Sequence, residues 1–235
     1  MNTSSDRYFK EVYDEVMYSG VTGRYSDFVH RVMERRYRNL KTRTVLELGA
    51  GSGQHAPYVI NDVDLYIESD LDPTLSKNTV DTMNHHKIVR QKVDAQDLSQ
   101  FDDNSIGRII ATCLLVHLPS PEAALEEWRR VVEPSGYLTI YIPTEPGMFL
   151  RLVRHLIMVP KSKKHGQDHL GTVYRDHRNH YPMMRIILKD VFKDDTIKKI
   201  RFPFPGIGWN FNLFEVYHIK INANKINPSR AESSE

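Results

Sequence analysis

The chain has 235 residues, 40% hydrophobic and 26% charged, an ordinary globular composition that excludes wholesale disorder and suits one α/β core. A net charge of +2 makes no electrostatic case for nucleic acid, and a single cysteine, Cys113, excludes an internal disulfide and fits a reducing compartment. No run approaches the roughly 18 apolar residues of a membrane span, and residues 1–15 lack the apolar stretch of a signal peptide, so a cytoplasmic location is expected.

Residues 1–42 read as an N-terminal helical cap. Apolar positions at Tyr8, Phe9, Val12, Val16 and again at Phe28, Val29, Val32, Met33 and Tyr37 suit one buried face, with a flexible joint at 19–23. Arg31, Arg35, Arg36, Arg38, Lys41 and Arg43 form a basic, solvated face. From Thr44 the pattern changes. Val45–Leu48 reads as a strand, followed by a glycine loop and a helix through about Ile60. Leu65–Ile67 is a second strand, and a helix opens at Asp72-Pro73, where proline suits the first turn. Ile88–Val93 and Ile109–Ala111 supply the third and fourth strands. Ser120-Pro121 opens a helix to about Glu133, and Tyr137–Ile142 is the fifth strand.

This alternation predicts a doubly wound, Rossmann-like sheet of seven mostly parallel strands with helices on both faces, over residues 43–222. An insertion or lid interrupts it at about 144–181, with an apolar-basic helix at 147–159 and a histidine-rich stretch after it. A helix at 182–192, strands at 196–202 and 213–221, and a flexible tail at 223–235 complete the reading.

The strand, glycine turn and following segment make a nucleotide-type site, because glycines let the backbone approach a ligand closely. The spacing is G-x-G-x-G at Gly49, Gly51 and Gly53, and Gln54 stands where a dinucleotide fingerprint needs its third small residue. Glu47, two residues before the first glycine, can accept hydrogen bonds from a ligand amine or from backbone amides that shape the loop.

At Val45–Gly53 the sequence resembles the class I S-adenosylmethionine-dependent methyltransferases, in particular their type 11/12 branch. Further matches are the acidic Asp70 after the second strand, Asp94-Ala95-Gln96-Asp97-Leu98 after the third, Leu115-Val116-His117-Leu118 after the fourth, and the Glu133-Pro134-Ser135-Gly136 turn. Ser135 and Val132 depart from the usual glycine and leucine. The resemblance covers 44–143 closely and implies S-adenosylmethionine as the methyl donor. It implies that Glu47, Gly49, Ala50, Gly51 and Gly53 surround its methionine part and that Asp70, with Leu71 beside it, meets the ribose. Asp94 and Ala95 would then meet the adenine. Asp72 is left with the helix cap, and an acidic turn is the alternative reading of Asp94.

Methyl transfer from a sulfonium needs alignment and a dry site more than it needs a strong acid. His117, at the end of the fourth strand, is the candidate catalytic residue, as general base or acceptor contact; a local hydrogen-bonding role is the alternative. His165, His169, His177 and His180, with Asp168 and Asp176, are read as lid or surface residues, and no metal is expected. The apolar-basic segment 147–164 suits a lid over the acceptor, or a helix touching the inner face of an anionic membrane. Trp209, Phe211, Phe214, Phe202 and Phe204 are candidates for the acceptor pocket or for plain packing.

The expected function is methyl transfer to a small-molecule, glycan or lipid-linked acceptor at oxygen, with no nucleic-acid partner; the sequence leaves oligomeric state open. The alternatives are an RNA or protein methyltransferase on the same fold and, less well supported, a nicotinamide-dependent oxidoreductase.

Overall fold

The computed structural model describes residues 13–76, 82–83 and 86–223. The expected tail from 224 onward and the positions Tyr8, Phe9 and Val12 lie outside them. Five strands run parallel: β1 (Lys41–Leu48), β2 (Asp62–Asp70), β4 (His86–Lys92), β5 (Ile106–Thr112) and β6 (Val132–Pro143). β7 (Thr196–Phe202) and β8 (Phe214–Lys220) form an antiparallel pair, and β8 joins the sheet antiparallel to β6. The order is β3-β4-β2-β1-β5-β6-β8-β7. Among the described residues, seven strands of ordinary length are therefore present as expected, with one addition: the two-residue edge strand β3 (Thr82–Met83).

The two faces are covered differently. On one, α3 (Pro121–Val131) and α7 (Tyr181–Val191) pack against the sheet. The buried positions of α3 are Pro121, Ala124, Leu125, Trp128 and Val131, a three-and-four spacing that makes one apolar stripe. Trp128 is fully buried, and its Nε1 donates to the Ala95 carbonyl at 2.7 Å, which pins the turn after β4. Ser120 sits at the N-cap but makes no side-chain cap bond; its amide donates to Gln96 instead.

The other face is where the structure corrects the sequence reading. No α-helix follows the glycine loop; the chain makes only a short 3-10 turn, Ala56–Tyr58, before β2. Few residues separate Gly53 from β2, and the space is occupied by α2 (Gly20–Glu34), whose Val29 and Met33 pack with Val45, Val59, Val63 and Ile110. Likewise Asp72-Pro73 opens a 3-10 turn, Pro73–Leu75, in which Asp72 caps the Thr74 amide. The expected joint at 19–23 shrinks to a break between α1 (Tyr13–Tyr18) and α2, with Gly20 at φ +59°. Phe28 is exposed, yet its ring meets Phe202 at 4.6 Å. The six basic residues at 31–43 are solvated as expected.

The helix α3 ends at Val131, two residues earlier than expected, because Val132 is already extended and starts β6. Pairing jumps from Ile106–Val132 to Arg108–Tyr137, so 133–136 bulge out of the ladder, with Ser135 at φ +65°. A glycine is favoured at such a position, because a side chain there costs about 1–2 kcal/mol.

The N-terminal helices are fastened to the sheet by a buried polar network. Arg108 of β5, fully buried, donates to both carboxylate oxygens of Glu34 at 2.8 and 2.6 Å. Its guanidinium lies 3.7 Å from the centre of the Tyr37 ring and also reaches Thr139. Glu34 bonds His55 Nε2 at 2.9 Å, and His55 Nδ1 meets His30 Nδ1 at 2.7 Å. The Arg108 guanidinium and the His55 bond outweigh burial and hold Glu34 near 2. Among the described residues, no helix is long and apolar enough to cross a membrane.

Candidate active site

The parallel strands end together at one edge of the sheet, and the site lies beyond them. β1 delivers Glu47 and then the loop. Gly49, Gly51 and Gly53 have φ of +67°, +53° and +75°, so the G-x-G-x-G spacing marks three alternate left-handed glycine positions. A Cβ on Gly49 would also stand 2.8 Å from a Leu114 methyl. The Gly51 amide donates to Asp70 Oδ2 at 3.0 Å, while Asp70 Oδ1 accepts from the Asp72 amide at 3.1 Å. Asp70 therefore shapes the loop as well as facing the cavity. Glu68 is buried in an ion pair with Arg90 and stays out of the cavity, whereas Asp70 and Asp72 reach it.

Glu47 is fully buried beneath the loop, and Tyr66 donates to its Oε2 at 2.7 Å. Burial pushes its carboxyl up to about 7, against the stabilising effects of His55 and the Tyr66 hydroxyl. A cationic amine placed against it would restore the carboxylate.

These groups line a cavity of about 840 Å³ that gathers Glu47, Gly49, Ala50, Gly51, Asp70, Leu71 and His117. Gly53 is buried below the loop, outside the lining. Asp94 and Ala95 also lie outside it. Asp94 is exposed and accepts from the Gln96 amide at 2.9 Å, closing the acidic turn, and the Val93 amide donates to the Asp70 carbonyl, so this turn adjoins the Asp70 end of the cavity.

A second chamber of about 360 Å³ adjoins the first. Its walls are Tyr18, Val21, Tyr25 and Val29 from the N-terminal helices, Tyr141 from β6, and Leu150, Val153 and Met158 from the insertion. The insertion begins with α4 (Met148–Val153), continues through a π-helical turn at Arg154–Met158 into α5 (Val159–Lys163), and returns in α6 (His169–Asp176). Lys161 clamps it to the N-terminal helices, donating to the carbonyls of Val16 and Ser19 and to Thr22 Oγ1 at 2.6–2.8 Å. The late aromatics are absent from this lining. Phe202 stacks on Phe214, Phe204 meets Phe149 and Trp209 meets Tyr181, so they pack the core and loops.

Thr112, Cys113 and His117 belong to both cavities. His117 Nδ1 lies 3.0 Å from the Asp176 carbonyl, so a neutral ring donates there. Burial, helped by His177, lowers the His117 ring to about 4. A nitrogen that resists protonation to that degree is a weak base. The histidine cluster divides: His169 and His177 line the chamber, whereas His165 and His180 do not. Cys113, Glu145 and Arg154 carry no site signal of their own in the sequence, where His177 reads as a lid or surface residue. Only the place of Cys113, one residue beyond β5 on the binding edge, signals it there.

Residues 46–140 match the family model of the methyltransferase domain. Over that segment the chain carries a methyltransferase domain. The glycine loop and the larger cavity fall within or against that segment, and S-adenosylmethionine is the methyl donor. A search of curated proteins finds no significant match. Among solved structures, a chain from the complex of the Haloferax volcanii Trm112 methyltransferase activator with a methyltransferase aligns at TM-score 0.62 and 15% identity, over 94% of this chain and 99% of that one. The CurJ carbon methyltransferase aligns at 0.62 and 16%, over 91% of this chain and 59% of that one. An O-methyltransferase family protein from Burkholderia thailandensis aligns at 0.62 and 12%, over 95% and 64%. At these identities the likeness speaks for the fold, and the neighbours' acceptor atoms differ.

Proposed function

We propose that this methyltransferase acts on a small organic acceptor with an apolar body, held in the 360 Å³ chamber with its nucleophilic atom at the Thr112–Cys113–His117 junction. The observation that carries this reading is the pairing of two adjoining cavities with one shared wall. The larger has carboxylates and a glycine loop suited to a polar donor, and the smaller is mostly apolar, with His169, His177 and Arg154 in its wall. Glu47 and the loop would hold the donor's amino-acid end, with Asp70 at its ribose and the 94–95 turn towards the adenine. An apolar chamber of this size favours a hydrophobic small molecule over a glycan, an RNA or a protein. A weakly basic His117 suits orienting the acceptor rather than strongly deprotonating it.

Labelled S-adenosylmethionine, incubated with the enzyme and a cell extract, tests this directly. Label is expected in small molecules extractable into organic solvent. Label confined to precipitable RNA or protein would contradict it.

One observation favours a second role for the insertion. Met148, Leu152 and Leu156 stand in one exposed row beside Arg151 and His155, the composition of a peripheral contact with an anionic membrane surface. Flotation with anionic vesicles tests it, and no binding would retire it.

A further inference from the structure

We propose that Cys113, His117 and His177 form a divalent transition-metal site, suited to zinc, at the junction of the donor and acceptor cavities. One ligand atom from each of the three side chains falls within 4.8 Å of the other two. Zinc–sulfur bonds near 2.3 Å and zinc–nitrogen bonds near 2.0–2.1 Å put tetrahedral ligand atoms roughly 3.3–3.6 Å apart. About an ångström of side-chain adjustment closes the set.

The surroundings of the two histidines carry the argument further. His117 Nδ1 meets the Asp176 carbonyl, and His177 Nδ1 meets the Glu145 carboxylate. A backbone carbonyl or a carboxylate on one ring nitrogen is the arrangement that fixes the tautomer of metal-binding histidines and presents the other nitrogen as a lone pair. Their rings stand edge to face, 4.8 Å between centres. Glu145 is itself buried and ion-paired with Arg154, so its carboxylate is held in place. Burial keeps both imidazoles neutral, the form that ligates. Cys113 occupies a left-handed backbone conformation at φ +58°, which aims a non-glycine side chain at some cost. Without a metal, burial pushes its thiol up to about 11; a bound dication would reverse that and hold the thiolate.

Two imidazoles and a thiolate select zinc or its neighbours over magnesium or calcium. Three protein ligands leave a fourth position open, the pattern of a reactive rather than a structural site. All three residues line the acceptor chamber, so the use of that position rests on the acceptor reading above. The dication and the Cys113 thiolate leave one positive charge on the ligand set itself, which a deprotonated acceptor oxygen or sulfur at the fourth position would neutralise. The acceptor proton leaves to solvent. The acceptor lone pair then bonds the methyl carbon, and the broken carbon–sulfur pair returns to the sulfonium sulfur.

Cobalt(II) titration of the metal-stripped full chain tests the site. One equivalent is expected to produce a thiolate-to-cobalt charge-transfer band with intense four-coordinate visible bands, both displaced by zinc. Cys113→Ser should lose the charge-transfer band, and Glu145→Gln should weaken cobalt binding about 10–100-fold. S-adenosylhomocysteine affinity, measured on every variant, reports an intact fold. Wild-type protein that binds S-adenosylhomocysteine without the cobalt band would overturn the site, as would an undiminished band in Cys113→Ser. A band in wild-type protein that binds no S-adenosylhomocysteine would uphold the metal and overturn the donor reading instead.

Discussion

Glu47 should make donor binding depend on pH in a direction set by its burial. An ordinary glutamate titrates near 4.5 and Glu47 near 7, a gap worth about 3 kcal/mol at 1.36 kcal/mol per pH unit. The raised value favours the folded state fully only below 4.5, and that contribution is lost as pH rises to about 7. A donor ammonium against Glu47 stabilises the carboxylate, so binding below pH 7 releases a proton from it. S-adenosylhomocysteine affinity should therefore rise between pH 5 and pH 7, by up to about 100-fold, and flatten above. Glu47→Gln keeps the side chain's shape and an acceptor for Tyr66 but cannot ionise. That variant should lose the pH slope and bind at least about 10-fold more weakly at pH 7.5, yet unfold at a higher temperature than the unliganded wild type. Calorimetric titration from pH 5 to 7.5 with parallel melting curves reads both effects. A flat wild-type profile, or full affinity in Glu47→Gln, would refute the reasoning.

Three further outcomes are expected. Arg108→Met leaves the Glu34 carboxylate buried without its guanidinium and should cost about 3–5 kcal/mol, or roughly 10 °C in Tm, whereas adding Glu34→Leu should recover most of the loss. Equal destabilisation in the double variant would contradict the buried-charge explanation. Asp70→Asn should weaken S-adenosylhomocysteine binding about 10–150-fold, because hydrogen bonds to a charged group contribute about 1.5–3 kcal/mol each, and the unliganded chain should melt a few degrees lower, because asparagine can no longer accept from both the Gly51 and Asp72 amides. Affinity within a factor of two of wild type would remove Asp70 from the donor site. Ser135→Gly should raise stability by about 0.5–1 kcal/mol in chemical denaturation, since glycine relieves the φ of +65° at some entropic expense; a loss would mean the serine side chain compensates.

The parallel half of the sheet was legible because each strand is a short apolar run ending at a turn residue, and the glycine loop because three left-handed positions need three glycines. The missed helix after Gly53 shows what local pattern leaves out. His55 and Val59 look like the start of a helix face, but they are claimed by Glu34 and Val29 on a helix twenty-odd residues earlier in the chain. The acceptor chamber was harder for the same reason. Tyr18, Tyr25, Cys113, Tyr141 and Arg154 converge only once the N-terminal helices and the insertion meet, through contacts such as those of Lys161. The late aromatics were conspicuous in the sequence, but Phe202 stacks on Phe214 while Phe204 and Trp209 meet Phe149 and Tyr181; apolar bulk alone does not tell a pocket from a core.

The central claim is that the Glu47–Gly53 loop and Asp70 hold a methyl donor. Thermal unfolding of the full chain with S-adenosylhomocysteine or NADH tests it most directly, since a ligand bound only by the native state adds about 2.7 kcal/mol at a hundred times its Kd. The account predicts a saturable rise in melting temperature with S-adenosylhomocysteine, diminished in Asp70→Asn, and none with NADH. A rise with NADH alone would contradict it.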